Sequence, residues 1–72
     1  MINTKEIKKR LIDKDLAIAD ISVCIGKSYS STLLKINGKL PMSLCEAEMI
    51  QELLDISDSD FGFYFFSHER GE

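Results

Sequence analysis

The stretch LAIADISVCIGKSYSSTLLKINGK, Leu16 to Lys39, decides the reading of this chain. Ile18, Ile21 and Ile25 recur at i, i+3 and i+7, the spacing of one helical face. This predicts a helix over Ile18–Ile25, with Ala17 in the poor role of N-cap. Gly26 then supplies the left-handed backbone that stops a helix. Ser28 is a good N-cap for a second helix running through Ile36, and Asn37-Gly38 ends it with residues that tolerate positive φ. Two short helices joined by Gly26-Lys27-Ser28 have the spacing of a helix-turn-helix. The glycine lets them meet at a steep angle, so that the second stands proud of the domain.

Working outward, Asn3 and Glu6 have capping-box spacing, and Ile7 and Leu11 lie on one face, which predicts a helix over Thr4–Asp13. Lys14, Asp15 and Leu16 form the link. On the other side, Pro41 and Ser43 open a further helix, with Ser43 and Glu46 as a second capping box. Its apolar face is Leu44, Ala47, Met49 or Ile50, Leu53 and Leu54. Asp58 or Ser59 caps a short fifth helix with Phe61, Phe65 and either Tyr64 or Phe66 turned inward; a strand is conceivable only at Phe63–Phe66. The expected core is Ile7, Leu11, Leu16, Ile21, Ile25, Ile36, Leu44, Ile50, Leu53 and Leu54. Residues 67–72 read as a polar tail, which leaves one all-α domain over residues 1–66.

A chain of 72 residues makes one domain at most and leaves no room for a cofactor fold with its own catalytic cleft. No nucleophile–base pair, phosphate loop or carboxylate dyad is visible, so neither enzymatic activity nor a cofactor is expected. Cys24 and Cys45 do not form a CxxC pair, and the one histidine, His68, lies near the end of the sequence, so no metal is expected either. The cysteines read as two half-buried thiols in a reducing cytosol. The longest apolar run, Phe63–Phe66, falls far short of a membrane span, and the expectation is a cytoplasmic protein.

The net charge of −3 is unevenly spread. Residues 1–39 hold eight Lys/Arg against four acids, and residues 40–72 one Arg against eight acids. A DNA-binding domain of this size is usually basic throughout. Here the basic and acidic halves are suited to different surroundings. Lys5, Lys8, Lys9 and Arg10 are in reach of a phosphate but read first as a solvated helix face. The acidic run Glu46, Glu48, Glu52, Asp55, Asp58 and Asp60 is either solvation or the complement of a basic partner. The aromatics from Phe61 to Phe66 close the core or form a dimer seam.

The run Leu16–Lys39, most strongly "STLLKINGK" (Ser31–Lys39), together with "DSDFGFYFF" (Asp58–Phe66), resembles the phage Cro and repressor superfamily. The likeness extends from Asn3 to Phe66 and is greatest to the small Cro-position proteins of temperate phages of Gram-positive bacteria. It implies a five-helix lambda-repressor-like DNA-binding-domain fold.

The departures from that pattern are informative. In the family's DNA readers the second helix of the motif presents polar residues to the major groove; the matching positions here are Tyr29, Ser30, Leu33 and Leu34. Base edges are read by Arg, Lys, Asn and Gln, whereas leucine offers only contact with a thymine methyl. Ile18 stands where a polar residue near a phosphate is usual, and Val23 and Cys24 occupy positions that are commonly polar. Tyr29, Thr32, Leu33 and Ile36 share one side of the helix, so Leu33 is either partly core or surface, and Leu34 lies well off that face. A lone exposed leucine carries no message, but Ile18, Tyr29, Ser30, Leu33 and Leu34 together make a candidate protein-binding patch.

With the resemblance, this implies an antirepressor that binds the N-terminal DNA-binding domain of a lysogeny repressor and controls a lysis/lysogeny switch. The rival is a Cro-like homodimer that reads operator DNA, with Lys27, Lys35 and Lys39 on phosphates. Operator DNA is in either case a possible partner, directly or in a joint complex.

Overall fold

The computed structural model describes residues 2–66, so the 67–72 tail, with His68, lies outside the described residues. The described residues form five helices: α1 (Thr4–Asp13), α2 (Ile18–Ile25), α3 (Tyr29–Ile36), α4 (Leu44–Leu53) and α5 (Asp58–Phe65). No strand occurs among the described residues, and Phe63–Phe65 belong to α5.

The helix starts follow local cap chemistry. Ser28 Oγ accepts from Ser31 N at 3.2 Å. Ser43 and Glu46 make the full reciprocal box, with both bonds at 3.0 Å. Ala17 has no acceptor to offer, so only the return half forms there, with Asp20 Oδ2 accepting from Ala17 N at 2.8 Å. The box expected at α1 is also half made. Asn3 Oδ1 accepts from Glu6 N at 3.4 Å, but Asn3 N donates to Tyr64 O at 2.8 Å, and Glu6 turns to Lys9. The N-cap of α5 is Ser57 rather than Asp58 or Ser59, and its side chain makes no cap bond.

Four helices end in the same way. Asp15 (φ 59°), Gly26 (φ 70°), Gly38 (φ 75°) and Asp55 (φ 55°) all adopt the left-handed conformation just past α1, α2, α3 and α4. In each case the next residue's N–H reaches back to a carbonyl of the preceding helix: Leu16 to Leu11, Lys27 to Ser22, Lys39 to Leu34 and Ile56 to Gln51. Asn37 keeps a negative φ, so Gly38 alone supplies the left-handed step after α3. After α1 and α4 these closures turn Leu16 and Ile56 back toward the core.

The core contains Ile7, Leu11, Ile21, Ile25, Ile36, Ala47, Ile50, Leu54, Ile56 and Phe65. Leu16 and Leu53 are half-buried at its edge. Leu44 is not part of it and remains 59% exposed. It sits in the first turn of α4 but on a different side of the helix from buried Glu46 and Ile50, and Met42 from the preceding link packs against the core instead.

α1 also serves the ends of its neighbours. Thr4 Oγ1 donates to Ile36 O at 2.6 Å at the end of α3. Arg10 Nε donates to Leu54 O at 2.9 Å, and Nη2 to Asp55 O at 2.7 Å, at the end of α4. These are carbonyls that a helix leaves without an internal partner. Arg10 is therefore a structural cap and not the phosphate ligand that its place in the basic run allowed.

Lys35 and Glu46 form a buried ion pair, with Nζ to Oε2 at 2.6 Å and both side chains no more than 10% exposed. The Lys35 hydrogen bond, then the Ser43 backbone N–H, holds the Glu46 carboxyl below the ordinary carboxylate range against the opposing effect of burial. A depressed carboxyl pKa stabilises the fold above its unfolded value, and that contribution is lost as pH falls through the folded value.

Glu46→Gln should lower stability at pH 7 by about 3 kcal/mol, the low end for breaking a buried pair. Thermal melts from pH 7 down to pH 3 should show a smaller loss of melting temperature for the variant than for the parent chain. Equal slopes would mean that Glu46 does not carry that part of the acid sensitivity. Arg10→Met, which keeps an apolar stem, should cost about 1.5 kcal/mol by urea denaturation, the lower value for hydrogen bonds from a charged donor.

Candidate partner-binding surface

α3 is the element on which the sequence-predicted site stands. Thr32, Lys35 and Ile36 are buried, which fixes the inward side of the helix. Tyr29 and Leu33 are four residues apart, as are Ser30 and Leu34, so the four positions form two adjacent rows on the remaining surface. Tyr29 is 53% exposed, Leu34 45% exposed, Ser30 exposed and Leu33 half-buried. This face carries no charged side chain.

Two predicted site residues stand differently. Ile18 is half-buried and packs against the hydrophobic cluster, so much of its side chain serves the core rather than a patch. It opens α2 one turn before buried Ile21, close enough in helical phase to share that inward side. Lys35, predicted to reach a phosphate, is withdrawn into the ion pair with Glu46. Lys27 and Lys39 are both exposed, one in the turn before α3 and the other just beyond its end. Lys5 and Lys8 are exposed on α1, and Lys9 lies 3.6 Å from Glu6.

A second apolar surface adjoins the C-terminal end of α3. A groove of about 450 Å³ runs between the α3–α4 link and α5. Leu40, Pro41 and Met42 line it from the link, Phe65 and Phe66 from the end of α5 and the residue that caps it, and Ile2 from the N-terminal segment. Lys35, Gly38 and Lys39 border it at the α3 end. Phe65 is buried, but Phe66 remains 51% exposed and Phe63 52% exposed. Phe61 joins the buried and exposed rings, with centroids 4.9 Å from Phe65 and 5.7 Å from Phe66.

The sequence reading of these aromatics as core closure holds for Phe65 and in part for Phe61 and Tyr64; Phe66 does not turn inward. The missed signal was helical phase. Phe61 and Phe65 are four apart on the inward side, whereas Phe63 and Phe66 are three apart on another side.

The acids of α4 and α5 face outward, apart from Glu46. Glu48, Glu52, Asp55 and Asp58 line an open cleft of about 380 Å³ with Gln51, whose Nε2 donates to Asp58 Oδ1 at 2.8 Å. Cys24 is half-buried, with its Sγ 3.7 Å from Met49 O, whereas Cys45 is exposed and not half-buried as expected. Among the described residues no group of three or more His, Cys, Asp or Glu side chains is placed to hold a metal ion. Among them, too, no helix is long and apolar enough to cross a membrane.

No family model, curated protein or solved structure matches the chain.

If Phe66 is a surface residue and Phe65 a core residue, truncation should separate them. Phe65→Ala should destabilise by about 3–5 kcal/mol, and Phe66→Ser by less than about 1 kcal/mol. Chemical denaturation of the two variants measures the difference, and equal losses would place Phe66 in the core.

Proposed function

We propose that the protein is an antirepressor: a phage transcriptional regulator that works by binding another DNA-binding protein. In this reading α2, the Gly26 turn and α3 form a helix-turn-helix within a lambda-repressor-like domain. Its α3 face docks on the N-terminal DNA-binding domain of a lysogeny repressor in the bacterial cytoplasm. The repressor then loses its operator, or acts at other sites in a joint complex, and the switch moves toward lysis.

One observation carries this reading. The helix in the reading position has Tyr29, Ser30, Leu33 and Leu34 outside, while its single cation, Lys35, is locked to Glu46 inside. Such a face offers no paired hydrogen bonds of the kind Arg or Lys makes to guanine. It offers apolar area, which a protein interface rewards at roughly 25 cal/mol per Å² removed from water. The groove at the end of α3 extends the same apolar character toward Leu40 and Phe66. Ile18 contributes at the margin, through the part of its side chain left outside the core.

Exposed Lys27 and Lys39 at the two ends of α3 favour a second reading, a Cro-like homodimer seated on DNA phosphates. The two readings separate cleanly in solution. The antirepressor reading expects the isolated protein to bind operator DNA weakly, without sequence preference and with a steep loss in salt. Tight, sequence-specific binding at physiological salt would decide for the Cro-like reading.

Titration of the repressor's DNA-binding domain tests the surface. Leu34→Asp should weaken binding at least tenfold, because it removes buried apolar area and strands a charge. Phe66→Ser reads the contribution of the groove. Melting curves confirm that each variant is folded. Wild-type affinity for folded Leu34→Asp would remove the α3 face from the interface.

A further inference from the structure

We draw no further inference here: the strongest candidate, the acidic cleft between α4 and α5 lined by Glu48, Glu52, Asp55 and Asp58, is a cluster of carboxylates for which no second feature of the structure identifies a ligand.

Discussion

The two oxygens of the Glu46 carboxylate have separate tasks, and the arrangement of α3 and α4 depends on both. Oε1 accepts from Ser43 N and completes the cap of α4, while Oε2 accepts from Lys35 Nζ at the last turn of α3. The placement suits the helix dipoles, because a carboxylate is favoured at a helix N-terminus and an ammonium at a C-terminus. Burial opposes the charge on Glu46, but the hydrogen bonds from Lys35 and Ser43 outweigh it, so the charged pair both fixes the orientation of α3 against α4 and is costly to break on one side. With Lys35 drawn inward, Leu34 is turned outward, and the uncharged face of α3 follows from an interaction on its opposite side.

The remaining architecture is a solution to helix ends. Five helices of eight to ten residues bring many unpaired carbonyls into a small domain, and helices this short are marginal by themselves. Left-handed closures satisfy carbonyls locally after α1, α2, α3 and α4. α1 reaches others across the fold, through Thr4 to α3, Arg10 to α4 and the Asn3 amide to α5. The core is made mostly of isoleucines and leucines, and of the apolar side chains of α3 only Ile36 belongs to it. That leaves most of the apolar surface of α3 outside the core.

These two levels explain what was legible in the sequence. The end of α2 and both ends of α3 could be read residue by residue because Gly26, Ser28 and Gly38 act on the backbone next to them. Asp15 and Asp55 do the same work as glycine, but aspartate enters the left-handed region only occasionally, so its identity alone does not announce a helix stop. The side a residue faces was harder to read near helix ends, where neighbours rather than periodicity decide. Leu44 remains exposed although Glu46 and Ala47 of the same turn are buried. Lys35 reads as solvent-facing because lysine is seldom buried without a partner, and in the sequence its partner, Glu46, reads as a helix cap. Arg10 looked like part of a basic run because the carbonyls it caps lie more than forty residues away along the chain.

The charge asymmetry acquires a physical meaning once exposure is added to it. Lys35 and Arg10 are taken up by the fold, and Lys9 and Lys14 lie beside Glu6 and Asp55, so the basic half offers less free charge to an approaching phosphate than its composition indicates. The acids of α4 and α5 lose only Glu46 to the interior, and Glu48, Glu52, Asp58 and Asp60 stay exposed. A surface of this kind repels a phosphate backbone and attracts a basic protein. Under the proposed role, long-range attraction from α4 and α5 would raise the rate of encounter with a positively charged DNA-binding domain, since complementary fields act chiefly on association. Burial of Leu34 and its neighbours would then set how long the complex lasts, because most affinity differences among related interfaces appear in dissociation. Salt should therefore slow association far more than it speeds dissociation, the kinetic signature of an interface whose charged and apolar parts occupy different helices.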